Sequence, residues 1–351
     1  MNAESRFEDY IRRVAVGPRA SRDLTREEAR DALDQILTKS VSELRAGVLL
    51  IALRMKRETL DENRGMLDAL REHACGVVAP VDAVLDLADP YNGYRRVPHF
   101  APFVAAVLAA AGVPTVIHGG AGIPPKRGCT HRAVLRELGG DVDAPVAAIA
   151  ARLATVGWGY VDVCQHSPAL AALRSLRDEI VKRPALSALE KLILPIRGRQ
   201  ETRLAVGYVH QGYDEALHAV VEDDPALVVR VVRGAEGHVD LKTWTETKGM
   251  DRSIGGTLGA VSLDPTDAGI APLRFDPNLQ VTPSVVAQLG ADALAGVGGP
   301  AAEQIVWTAG CLLHWMAAAP DPGQGVEKAR KTIADGRARE CLRAGLGSAS
   351  S

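Results

Sequence analysis

Between residues 77 and 232 the chain repeats one alternation: a short apolar run, a turn, then an alanine- or leucine-rich segment of helical periodicity. The runs are "GVVAPVDAVLDLAD", "VPTVIHGGAG", "GWGYVDVC", "RLAVGYVH" and "ALVVRVVRGAEGH". Strands buried on both faces read as continuous apolar runs, and strand–helix alternation builds a parallel or mixed sheet covered by helices on both sides. The first 75 residues show no such run. There Ala29, Leu33, Ile36 and Leu37, then Leu44, Val48, Leu49, Ile51 and Ala52, follow the spacing of amphipathic helices. Thr25 with Glu28 makes a capping box, and Ser42 and Thr59 are candidate starts of the next helices. Residues 168–195 read as helix again, with a break at Pro184. The ending "GVEKARKTIADGRARECLRAGL" reads as one surface helix, and the "GLGSASS" tail is expected to fray.

Composition narrows the class. Of 351 residues, 47% are apolar and 24% charged, as in a water-soluble globular protein. A formal net charge of −2 argues against broad neutralisation of nucleic-acid phosphates, although a local basic patch fits within a balanced total. The five cysteines are scattered and never form a CxxC pair, which argues against a disulfide framework and a structural zinc site. The start "MNAESRFEDYIRR" lacks the apolar core of a signal peptide, and no segment has the roughly 18 apolar residues of a membrane span. A cytoplasmic protein is the expectation.

The stretch "DPYNGYRRVPHF", residues 89–100, joins a strand-like segment to an alanine-rich helix, where α/β proteins often hold phosphate. It has one glycine but two adjacent arginines, so Arg95 and Arg96 are either guanidinium forks on a phosphate or an exposed basic pair. His118, ending an apolar strand before two glycines, points toward the crevice at the strand carboxyl ends or is a structural histidine. Lys126, Arg127 and His131 would add positive charge nearby. Glu236 and Asp240 are two carboxylates four residues apart, a weak metal signal. Trp158, Tyr160 and Trp244 could stack on a base, with core packing as their ordinary use.

The opening "LTREEARDALDQIL…VSELRAGVLLIALRMKRET", then "GVPTVIHGGAG", "HRAVLRELGGDVD", "HSPALAALRSLRDEI" and "GVEKARKTIADGRA", resembles the anthranilate phosphoribosyltransferase family (glycosyltransferase family 3), in order over nearly the whole chain. The resemblance implies a small α-helical domain from residues 1–75 and 168–195, and a larger α/β domain from residues 76–167 and 196–351 with a central, mostly parallel sheet flanked by helices. It also implies an active site in the cleft between them, a phosphorylated small molecule as ligand, magnesium as its companion, and a homodimer formed through the helical domain. Asn92, Gly93, Arg95, Arg96, Gly119, Lys126 and Arg127 then become phosphate- or substrate-binding candidates and His118 the catalytic one. Arg177 falls where the family contacts its aromatic acid, but "RSLRDE" also makes an ordinary surface ion-pair face.

The departures fall on the donor site. The family's glycine run ending in aspartate is "ADPYNG" here, with tyrosine adding bulk, and its lysine before His118 is Ile117. The serine-rich loop is "GIPPKRGC", whose prolines donate no amide, and the paired Asp-Glu that holds magnesium falls on Val239 and Asp240. "YNGYRR…PHF" with "GVPTVIHG" looks closer to a divergent branch of the family, some members of which are thought to bind nucleic acid. The expectation is pentosyl transfer on a phosphorylated sugar donor, with an altered donor or acceptor site and without the tryptophan-pathway reaction. The alternative is a non-catalytic nucleic-acid-binding protein on the same fold.

Overall fold

The computed structural model describes residues 3–17, 19–252 and 257–347; residues 348–351 of the tail expected to fray lie outside them. Helices α1 (Ala3–Val14), α2 (Arg26–Leu37), α3 (Glu43–Lys56) and α4 (Leu60–Glu72) form the N-terminal layer. Each expected cap is in place. Thr25 with Glu28 and Thr59 with Glu62 make complete capping boxes, and the Ser42 hydroxyl accepts from the Arg45 amide. α2 and α4 pack closely at Gly65, where a Cβ would lie 2.1 Å from the Arg26 carbonyl oxygen. Leu33, Ile36, Leu49, Leu50, Met66 and Leu70 close this layer's core, which runs on into Leu204, Val206, Val229 and Val231 of the sheet.

The alternation then begins with β1 (Val77–Val78), β2 (Ala83–Ala88), α5 (Ala101–Ala110), β3 (Thr115–Gly119), α6 (His131–Glu137), α7 (Val146–Thr155) and β4 (Trp158–Asp162). Short helices α8 (Val163–His166), α9 (Pro168–Ala171), α10 (Arg174–Ile180) and α11 (Leu186–Leu189) return the chain to the helical layer, α10 against α3 and α11 against α4. β5 (Ile196–Arg197), β6 (Glu201–Gly207), α12 (Tyr213–Val220), β7 (Leu227–Val232), β8 (Thr247–Arg252) and β9 (Leu258–Leu263) follow. Helices α13 (Pro283–Leu294), α14 (Pro300–Trp315), α15 (Pro322–Ala334) and α16 (Arg337–Leu346) complete the described chain.

Among the described residues the main sheet has seven strands in the order β4-β3-β2-β6-β7-β8-β9, parallel from β4 to β7. α5 is its central buttress: residues Ala101–Leu108 are all buried, because α14 and α16 cover the face turned from the sheet. The molecule is thus a small helical domain beside a larger α/β domain.

Two expectations give way. β7 leads not to a helix but to β8 and β9, which pair antiparallel at the sheet edge. β9 is largely exposed and β8, TKGMDR, is mostly polar, so neither carries an apolar run to announce it. The final surface helix is in fact two helices, parted at Gly336, whose φ of +81° suits glycine. α16 is half interior: Ala338 and Leu342 are buried, and the Trp158 indole donates to the Cys341 carbonyl at 2.7 Å.

Candidate functional site

The parallel strands end on one edge of the sheet, and the residue 89–100 loop leaves β2 there. Its first half turns inward. The Tyr91 hydroxyl lies 2.5 Å from His118 Nδ1 and 3.0 Å from His166 Nε2, and His118 Nε2 is 3.1 Å from Asp86 Oδ1. Tyr91 and His118 are each 1% exposed and His166 is fully buried. Burial foremost, then the neighbouring His118, lowers the His166 pKa well below its usual value, so that ring is neutral. His118, expected to face a crevice and orient a sugar, is therefore an interior residue sealed by Tyr91.

Asn92 and Gly93 are also interior. The Asn92 carbonyl accepts from the Gly128 amide at 2.8 Å, and Tyr94 and Cys129 exchange amide hydrogen bonds at 2.9 and 2.8 Å. Gly93 has φ +71°, and a Cβ there would lie 2.2 Å from the Cys129 carbonyl oxygen. These residues stitch the loop to residues 128–129 instead of offering amides to a ligand. Gly119 is partly buried against the Tyr160 ring, and Trp158 and Tyr160 themselves are core residues.

The second half turns outward and does offer amides. The backbone N–H groups of Arg95, Arg96 and Val97 converge on Glu236 Oε1 at 3.1, 2.6 and 3.3 Å, and Lys126 Nζ lies 2.5 Å from Oε2. Burial alone would raise the Glu236 pKa. Lys126 and the amides of Arg96 and Arg95 outweigh it and hold the carboxyl at about 2. Three successive amides and a lysine make an anion cradle, and Glu236 fills it from a short turn in which its own backbone is left-handed, φ 55° and ψ 14°. Around the cradle the Arg95 and Arg96 side chains are exposed, and neither guanidinium makes a hydrogen bond or ion pair among the described residues. What this stretch holds is the chain's own carboxylate, and backbone amides with Lys126, not guanidiniums, hold it.

The remaining candidates are committed elsewhere. Arg127 pairs with Asp178. Arg177 is not on a surface ion-pair face: it is 1% exposed, and its guanidinium reaches Glu190 at 2.6 Å and the Ser187 hydroxyl at 3.1 Å. Asp240, expected as the surviving metal carboxylate, is buried and accepts from His99 Nδ1 at 3.0 Å and the Phe100 amide at 2.7 Å. With valine at 239 and Glu236 held in the cradle, the hard-oxygen set that magnesium requires is not assembled there.

Sequence reasoning missed a buried group. Asp89 Oδ2 lies 2.5 Å from His131 Nε2 and 3.2 Å from His238 Nδ1, and the Val239 amide donates to Asp89 Oδ1 at 2.9 Å. Burial foremost, and the neighbouring His99, push the His238 pKa down to about 4 against the pull of Asp89. The three residues come from segments up to 150 positions apart, so no local spacing marks them.

A helical bundle beside a mostly parallel sheet, with three amides and a lysine converging on a carboxylate at the strand ends, defines a two-domain α/β protein. Residues 8–74 match the helical bundle domain of a glycosyl transferase family, and residues 101–339 match that family's a/b domain. The chain belongs to this glycosyl transferase family, the one that holds anthranilate phosphoribosyltransferase. The Rhodospirillum rubrum anthranilate phosphoribosyltransferase is 29% identical over 333 residues, spanning 95% of this chain and 92% of that protein. That of Methanopyrus kandleri is 27% identical, spanning 91% and 94%. Among solved structures, the Thermus thermophilus anthranilate phosphoribosyltransferase superposes with a TM-score of 0.76 at 23% identity over 99% of both chains. The Saccharomyces cerevisiae enzyme in complex with PRPP and Mg superposes with a TM-score of 0.79 at 15% identity over 98% of both. These likenesses establish the fold. No helix among the described residues is long and apolar enough to cross a membrane.

Proposed function

We propose that this chain is a phosphoribosyltransferase-type protein acting on a phosphorylated sugar through a rebuilt anion site, and that it does not perform the tryptophan-pathway transfer. The relatives are anthranilate phosphoribosyltransferases, and a solved one holds PRPP with Mg, which supports a phosphorylated pentose as ligand. The observation that carries the reading is the cradle of the Arg95, Arg96 and Val97 amides with Lys126, now holding the Glu236 carboxylate. A phosphate group that displaces Glu236 meets the same donors and gains the two free guanidiniums of Arg95 and Arg96. Loss of the magnesium pair and of the glycine loop argues against ordinary transfer to anthranilate. Rescue of a tryptophan auxotroph lacking the true enzyme would refute that part.

The test is calorimetric titration with orthophosphate and with phosphoribosyl pyrophosphate. Charge-assisted hydrogen bonds contribute about 1.5–3 kcal/mol, so removing the internal competitor in Glu236→Gln is expected to tighten anion binding by roughly tenfold or more. If neither the parent nor Glu236→Gln binds either anion, the reading fails.

The unpaired guanidiniums also favour a second reading, a nucleic-acid-binding protein whose basic loop tracks a phosphate backbone. Steep salt dependence of oligonucleotide binding, with no affinity for the small anions, would establish it. Residues 1–75 with 168–195 form the pairing domain in either case. What supports a homodimer is an exposed apolar set, Leu44 at 79% and Val48 at 42%, beside a cavity of about 350 Å³ between α3 and α10. A monomer in light scattering at micromolar concentration would overturn it.

A further inference from the structure

The geometry points to a buried cation site in which Asp89, His131 and His238 bind a borderline divalent ion of the zinc type. Asp89 follows β2, His131 opens α6, and His238 lies in the turn after β7, so three elements deliver one ligand each. One ligand atom from each of the three residues lies within 4.8 Å of the others. The residues are 2%, 6% and 1% exposed, so water cannot readily satisfy them. Both imidazoles aim at one carboxylate oxygen, His131 Nε2 at 2.5 Å and His238 Nδ1 at 3.2 Å, while among the described residues His131 Nδ1 and His238 Nε2 have no hydrogen-bond partner. Two imidazole nitrogens gathered on one buried carboxylate oxygen are an arrangement that a shared cation can bridge.

The surroundings hold Asp89 by a hydrogen bond and the two rings by packing. The Val239 amide holds Asp89 by its other oxygen. The His99 ring stacks on His238 with centroids 3.9 Å apart, and Asp240 anchors His99 in turn at 3.0 Å. Tyr94 packs edge-on against His238 and tilted against His131, at 5.1 and 5.7 Å. Two imidazole nitrogens and one carboxylate oxygen are the donor set of zinc, cobalt or nickel, whereas magnesium and calcium take oxygen throughout. Ligand atoms of a tetrahedral zinc with bonds of about 2.0–2.1 Å stand about 3.3 Å apart. The Asp89–His238 separation already matches, and only His131, at 2.5 Å, must move outward.

The experiment uses the full chain, stripped with chelator and reloaded with zinc or cobalt at micromolar concentration, with magnesium as control. One ion per chain by elemental analysis is expected, together with a cobalt visible spectrum of tetrahedral nitrogen/oxygen type lacking thiolate charge-transfer bands. A higher melting temperature is expected with zinc and not with magnesium. His131→Gln and His238→Gln are each expected to weaken binding by roughly a hundredfold or more. Cys75→Ser with Cys164→Ser, which removes the two exposed thiols, is expected to leave binding unchanged. Absence of a stoichiometric ion, unchanged affinity in both histidine variants, or loss of binding in the cysteine variant overturns the proposal. If the histidine variants do not fold, the cobalt spectrum and stoichiometry of the parent chain decide it.

Discussion

The two halves of residues 89–100 are six residues or fewer apart and behave as different materials. Residues 91–94 are core: Tyr91 plugs the strand ends, and Gly93 locks the loop onto Cys129. Residues 95–97 are surface and present three backbone amides to one carboxylate. The amides that meet a carboxylate thus lie downstream of Gly93 and not at it. Upstream of them is a buried tyrosine–histidine network. If this division is right, changes in the first half act on stability and changes in the second on binding.

The largest effect is expected at the hinge. Gly93→Ala must hold φ +71° and place a methyl 2.2 Å from the backbone oxygen of Cys129. Strain and clash together should cost more than about 3 kcal/mol. Urea unfolding measures it, and a loss below about 1 kcal/mol would mean the loop is free to shift and the halves are not separate. Tyr91→Phe comes next. It keeps the ring but strips the hydroxyl that serves both His118 and His166, which should cost about 1–3 kcal/mol. A neutral outcome would show that the network is not what seals the strand ends.

How much of this was legible follows the same division between local and distant. The caps at Thr25, Ser42 and Thr59 are read within four residues, and the apolar runs of β2, β3, β4, β6 and β7 announce themselves. β9 escapes because an exposed edge strand carries no apolar period, and β8, paired on both sides, because its sequence TKGMDR is polar. At the site, residues 95 and 96 drew notice for their side chains, while their amides bind Glu236, a residue about 140 positions away. Asn92 and Gly93 are on the expected loop and His118 ends the expected strand, but whether His118 faces water depends on Tyr91, which packs over it from the loop. Arg177 looked like a helix-surface charge because its partner, Glu190, is thirteen residues on and outside helical spacing.

Two lysines sharpen the comparison further. Lys126 belongs to the cradle and has a carboxylate partner, whereas Lys191 is buried with Nζ donating to the Gly207 carbonyl at 2.6 Å. Burial, opposed by the attraction of Asp89 and Glu190, pushes the Lys191 pKa from 10.5 down to about 8. The folded state then binds fewer protons than the unfolded state between pH 8 and 10.5, so stability rises with pH across that window, and the full cost of the buried charge is felt below it. The stability difference between the parent and Lys191→Met cancels the other titrations. It should move in the parent's favour from pH 8 to 10.5, and a flat difference would mean that the ammonium is solvated.

The smallest structural effect, and the one most telling for function, belongs to Arg95→Ala with Arg96→Ala. Both side chains are exposed and unpaired, so the double change should alter stability by no more than about 0.5 kcal/mol. The amide cradle survives it, because backbone N–H groups and Lys126 remain. Anion affinity should therefore fall without vanishing, and most clearly in the Glu236→Gln background, where the cradle is open. Ionic strength separates the ligands. A small phosphate held at one cradle should weaken gently with salt. A nucleic acid should lose affinity with a log–log slope of roughly 0.7 to 0.9 for each phosphate contacted, and the double variant should reduce that slope. If the double variant binds every anion as the parent does, the outward half of the loop is a capped turn, and the difference between the two halves is one of burial alone.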